Sequence, residues 1–141
     1  MGFLLRLGAS PQDAGDGAGH AFIEVYVRWE QLRSPKEYLR RAATNELIKL
    51  ATRPRTDLDR VLRGCWAMEV VQDVYQQSEV QMVLNAMSKL PARQRQVMAW
   101  YYDGYSAVEI AENLGMPVAT VRSNLRHARE TLRRLGVGEG G

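Results

Sequence analysis

The side chains best placed to do chemistry in this sequence are arginines. Arg122, Arg126, Arg129, Arg133 and Arg134 crowd one short stretch, with His127 among them and Glu130 as the lone opposing charge. A guanidinium fork bonds guanine edges and phosphate oxygens in pairs, so such a run suits nucleic acid. Ala119 and Ser123 fall on the same side of the stretch. Small residues there let a helix approach a groove closely, which a merely solvated face does not require.

Catalysis is the poorer reading. His20 and His127 are far apart, Cys65 has no histidine near it, and no Cys/His spacing fits a zinc site. Asp57 and Asp59 sit in charged chain without helical period, where nothing fixes a carboxylate pair. Gly15, Gly17 and Gly19 follow no strand and precede no Gly-Lys-Ser/Thr, so they do not form a phosphate cradle. No catalytic residue, metal or cofactor is expected.

To aim the arginines, the chain needs a helix-turn-helix. Ser106 and Glu109 make a capping box, each side chain satisfying an orphan N–H at a helix start. Val108, Ile110, Ala111 and Leu114 are the apolar side of that short helix, and Gly115 ends it. Pro117 opens the next helix. There Val121, Leu125, Ala128 and Leu132 form one buried stripe, leaving Ala119, Arg122, Ser123, Arg126 and Arg129 outside. Before this pair, Met68 to Lys89 read as a long helix with Val71, Val74, Tyr75, Met82, Val83, Met87 and Leu90 apolar. Pro91 stops it and opens a helix with Val97, Met98, Tyr101 and Tyr102 inward, and Gly104 turns the chain onward.

The run LPARQRQVMAWYYDGYSAVEIAENLGMPVATVRSNLRHARETLRRL resembles region 4 of bacterial RNA polymerase sigma factors of the extracytoplasmic-function (ECF) group. The likeness rests on LP-x-RQR-x-V, YS-x-x-EIAE-x-LG and TVRS-x-L-x-x-AR-x-x-LR. It implies a domain that binds the upstream promoter element and touches the polymerase flap. The residues implied for upstream DNA are Pro117, Val118, Ala119, Thr120, Arg122, Ser123, Asn124, Arg126, His127 and Arg129. Asn124 departs from the pattern, where arginine is frequent, and Pro117 replaces the usual serine cap.

The first third is less regular. Phe3 to Leu7 read as the last turns of a helix, and ASPQDAGDGAGH as a loop or a weak helix, since an interior glycine costs about 1 kcal/mol relative to alanine. From Ala21, the residues Phe22, Val25, Tyr26 and Trp29 mark one face of a helix ending near Glu30 or Gln31. Gln31 to Lys36 form a turn at Ser34-Pro35. A helix from Pro35 to Thr52 then turns Tyr38, Leu39, Ala42, Ala43, Leu47 and Leu50 inward, with Arg41, Asn45 and Lys49 on an outer face.

This part resembles the later portion of sigma region 2 through Asp13, Ala14, Asp16, Ala21, Phe22 and Trp29, then Tyr38, Leu39, Arg41, Ala43 and Asn45. The resemblance implies polymerase contact through Asp13 and Asp16, and a base-trapping loop at Gln31 to Lys36. Downstream promoter contacts fall to Arg33, Ser34, Lys36, Arg41, Asn45 and Lys49. Aromatics beside such a groove hold single strands by stacking, worth about 1–3 kcal/mol per base; Trp29 is expected in the core instead. Gly15, Gly17, Gly19 and His20 stand where the family has an acidic and glutamine patch, and the sequence begins inside region 2. Either its start lies upstream of Met1 or the protein is a reduced sigma-like regulator.

The expectation is an all-α protein of two small helical domains. They span residues 1–53 and 67–135, with a linker at 54–66 and a disordered tail at 136–141. A length of 141 residues allows this division, and 45% hydrophobic content suffices for helical cores. No apolar run reaches membrane-span length, and the first residues lack the flanks of a secretory signal. The lone cysteine excludes an internal disulfide framework and suits the cytoplasm. A net charge of only +3 makes the location of the arginines matter more than their sum. Promoter DNA, core RNA polymerase and an anti-sigma factor are the partners implied, with no membrane insertion. Two alternatives are a stand-alone helix-turn-helix regulator and an interaction module that titrates an anti-sigma factor.

Overall fold

A computed structural model describes residues 2–52 and 78–137. Among them are seven α-helices and no strand: α1 (Gly2–Arg6), α2 (Pro11–Val27), α3 (Pro35–Thr52), α4 (Ser78–Ser88), α5 (Ala92–Tyr102), α6 (Ala107–Leu114) and α7 (Val118–Arg134). A 3-10 turn, Trp29–Gln31, follows α2. The described residues fall into two compact units, 2–5 with 9–52 and 6–8 with 78–137. The linker at 54–66 and the expected helical residues Met68, Val71, Val74 and Tyr75 lie outside the described residues. No described helix is long and apolar enough to cross a membrane.

In the first unit the glycine-rich stretch is helical, and the reason is at its start. The Ser10 hydroxyl accepts the Asp13 N–H, and Pro11 occupies the first turn. This cap and the fixed proline φ hold the end where helices fray. Packing supplies the rest: Ala14, Gly17, Ala21 and Val25 make a buried stripe along α2, and Ala42, Ala43 and Leu50 are buried on α3. At Gly17 a Cβ would stand 3.5 Å from Leu4 Cδ1 and 3.7 Å from the Ala43 carbonyl oxygen, so small residues set the helix spacing.

That arrangement overturns the expected face. Phe22, Tyr26 and Trp29 are exposed, Tyr26 to 83%, and only Val25 of the four is buried. Small residues one turn apart bring the backbones close, and the aromatics are left on the other side. α2 also ends at Val27, earlier than expected, and Trp29 stands in the 3-10 turn. The Tyr38 hydroxyl donates to Glu24 Oε1 at 2.6 Å, joining α3 to α2. This hydrogen bond, more than any other influence, raises the phenol pKa above its ordinary value. α3 keeps the expected bounds and turns Arg41, Asn45 and Lys49 outward.

The second unit closes over large side chains. Met87, Leu90, Val97, Met98, Trp100, Ile110, Val121 and Leu132 are at most 2% exposed. Trp100 meets Tyr105 edge to face, with ring centroids 5.0 Å apart. The Arg95 guanidinium donates to the carbonyls of Met87 (3.1 Å), Ser88 (3.3 Å) and Leu90 (2.9 Å), satisfying acceptors at the end of α4. Two expected apolar positions turn outward: Met82 is 51% exposed and Val108 47%. In their place Ala86 joins Met87 inside on α4, and on α6 Ile110 and Ala111 suffice for a helix of only two turns.

The expected tail begins as ordered chain. Gly136 is left-handed (φ 80°), its N–H donates to the Arg133 carbonyl, and the Val137 N–H reaches the Leu132 carbonyl at 2.9 Å. This is a Schellman closure of α7. Residues 138–141 lie outside the described residues.

Candidate nucleic-acid interface

Local chemistry fixes the turn between α6 and α7 at both ends. Ser106 Oγ accepts the Glu109 N–H at 3.2 Å, while the Ser106 N–H donates to Glu109 Oε1 at 3.0 Å. The latter bond, with the Ser106 hydroxyl adding to it, lowers the Glu109 carboxyl pKa below its ordinary value. Gly115 is left-handed (φ 65°), and Met116 donates its N–H to the Ala111 carbonyl at 3.0 Å. Pro117 then caps α7 through its extended backbone, without a side-chain hydrogen bond.

Val121, Leu125, Ala128 and Leu132 are buried against the unit, as their spacing requires. Pro117, Ala119, Thr120, Arg122, Ser123, Arg126 and His127 are exposed, so the helix presents most of the expected set together. Val118 is half-buried, and so is Asn124, whose Nδ2 donates to the Thr120 carbonyl at 3.0 Å. Arg129 departs from the outer face. It is half-buried, with its guanidinium 4.3 Å from the centroid of the Tyr101 ring on α5. Helical spacing says where Arg129 leaves α7 but not that an aromatic from another helix will receive it.

In the first unit Arg33, Ser34, Lys36, Arg41, Asn45 and Lys49 are all exposed. Arg41 stands over the Tyr38 ring at 5.9 Å, and Lys49 is 3.4 Å from Glu46. Asp13 is buried to 7% exposure at the capped start of α2, and Asp16 is half-buried. Asp13 stands in the first turn of α2, where a carboxylate favours the helix start, and little of its surface is exposed. Sequence spacing grouped Phe22, Tyr26 and Trp29 on one face but did not reveal that all three are exposed. The Ser10–Pro11–Asp13 start signal would have extended the helix backward and shifted the inward face. Among the described residues, no group of three His, Cys, Asp or Glu side chains stands together as a metal site.

Residues 80–132 match the family model for sigma-70, region 4. The chain is 30% identical to the ECF RNA polymerase sigma factor SigW of Bacillus subtilis over 92% of its own length and 78% of that protein. It is 29% identical to the probable RNA polymerase sigma factor RfaY of Xanthomonas campestris pv. campestris, over 84% of its length and 32% of that protein. No solved structure matches the chain.

Proposed function

Because this chain belongs to the extracytoplasmic-function RNA polymerase sigma factors, we propose that it directs core RNA polymerase to selected promoters in the cytoplasm. It supplies specificity to an enzyme and is not one itself. The observation that carries the reading is α7: an apolar stripe seats it, a capped turn aims it, and its exposed start combines Ala119 and Ser123 with Arg122 and Arg126. Helices of this kind enter the major groove by their first turns, and here they read the upstream element.

The first unit holds the downstream element. Arg33, Lys36, Arg41 and Lys49 give a positive surface, and exposed Tyr26 and Trp29 add faces on which unpaired bases stack. The wider apolar face, with Phe22, Ile23 and Val27, is the surface we assign to core polymerase in place of Asp13. Exposed apolar area of this extent marks a partner site on a soluble protein.

Run-off transcription with purified core polymerase tests the proposal, using promoters selected by binding to this protein, with a pull-down on core alongside. Core binding with initiation from the selected sites is expected. Selective DNA binding with neither would leave a stand-alone regulator instead.

A further inference from the structure

The meeting of Arg129 with Tyr101 has a use beyond packing. The two residues line a groove along one flank of α7, together with Arg122, Arg126, Glu130 and Arg133, with room for about 540 Å³. Arg122, Arg126 and Arg133 are exposed, and no carboxylate among the described residues is in ion-pair contact with them. One carboxylate against four guanidiniums leaves the groove positive, so its occupant is an anion.

The arrangement also says which anion. Positions 122, 126, 129 and 133 follow one line along α7, about 16 Å long at 1.5 Å per residue. A small free anion calls for donors converging on one point. A line of donors instead follows a DNA strand, which carries one phosphate for about every 3.4 Å of helix axis. The two ends of the line differ. Arg122 and Arg126 belong to the turns that lie nearest the bases, whereas Arg129 and Arg133 lie beyond them, where a helix leaving the groove passes the backbone.

Arg129 is the member whose position is set in advance. A guanidinium held over an aromatic ring, here 4.3 Å from its centroid, has its flexible stem ordered before any ligand arrives. We propose that Tyr101 is a positioning residue that holds Arg129, with Arg133, as a phosphate grip on the flank of α7, anchoring the strand while the start of the helix reads bases. The proposal rests on the reading of α7 as the recognition helix.

The test uses the full chain and a duplex selected from a random pool by the wild-type protein. Binding is followed by fluorescence anisotropy across a range of salt concentrations. Tyr101→Leu is expected to weaken selected and unselected duplexes alike, about tenfold. It should leave base preference intact and reduce the slope of log affinity against log salt by about 0.9, the value of one phosphate contact. Arg129→Gln should reproduce both changes, the double variant should be no weaker than either single one, and Tyr101→Phe, which keeps the ring, should restore the slope. Circular dichroism melting of each variant separates loss of fold from loss of grip, and Arg129→Gln carries the test if Tyr101→Leu melts early. A salt slope unchanged in Arg129→Gln, or altered base preference, overturns the phosphate grip. A changed slope in Arg129→Gln with a folded Tyr101→Leu like wild type overturns the role of Tyr101. If the wild-type protein selects no sequence at all, the recognition-helix reading itself falls, and this inference with it.

Discussion

The two units divide their small and large apolar side chains differently between inside and outside. In the first, α2 and α3 meet through Ala14, Gly17, Ala21, Ala42 and Ala43, with Phe3, Leu4 and Leu50 buried beside them, while the large apolar side chains Phe22, Ile23, Tyr26 and Trp29 remain outside. In the second, large side chains such as Trp100, Met98, Leu90 and Ile110 are inside, and what remains outside on α7 is charge. Burial stabilises roughly in proportion to apolar area, so the enclosed large side chains are the main source of the second unit's stability. The first has kept back much of its apolar area, which a partner can use. Charge is thus the exposed material of α7, and apolar side chains are that of α2.

The most severe way to break the contrast is Trp100→Ala. Removing a fully buried aromatic should cost about 3–5 kcal/mol. Chemical denaturation should show the second unit melting early, whereas Trp29→Ala, at an exposed site, should leave the midpoint nearly in place. Equal losses from the two would erase the distinction. Next in size is Arg122→Ala, expected to cost about 1–3 kcal/mol of promoter affinity and to relax one base preference, as for a bidentate base contact. Unchanged affinity and preference would show that α7 sits in the groove in another register.

Ser106→Ala should destabilise the second unit by about 1 kcal/mol through loss of the cap, readable in the same denaturation curves. The first unit should respond to the reverse manipulation. At Gly15 and Gly19 an added Cβ meets nothing within 4 Å and neither φ is positive, so each Gly→Ala should stabilise α2 by up to about 1 kcal/mol. Slower amide exchange across Ala14 to Ala21 would show it; faster exchange would mean that α2 is limited by something other than helix propensity.

The smallest effect is in pH. The Glu109 carboxyl is held below its ordinary value by the N–H of Ser106. Its stabilisation is therefore complete above the unfolded carboxylate pKa and is lost as pH falls through the lowered folded value. A titration of the Glu109 carboxyl by NMR that falls at or above the value for an unfolded chain would contradict the capping box.

How legible these units were in the sequence follows from the same contrast. The helix-turn-helix announces itself through local pairs: Ser106 with Glu109, Gly115, Pro117, and the stripe Val121, Leu125, Ala128, Leu132. Each is a rule about residues a few positions apart, and all appear in the structure. The sequence also carried the start of α2, in Ser10, Pro11 and Asp13, but three glycines outweighed it. The inward face of α2 was misread because the large apolar residues looked like core, while the contact with α3 needed small ones. Arg129 depends on Tyr101, twenty-eight positions away on another helix. No spacing within α7 contains that information.

The same exchange of inside and outside gives the protein two independent optical reporters. Trp29 is 59% exposed and Trp100 is completely enclosed. With Trp66 replaced by phenylalanine, acrylamide should quench the emission of Trp29 and leave that of Trp100 almost untouched. A base or a polymerase surface settling on the first unit would shield Trp29, while unfolding of the second would redden Trp100. Capture by the partner and integrity of the DNA reader can thus be followed as separate signals, in one cuvette, on the intact chain.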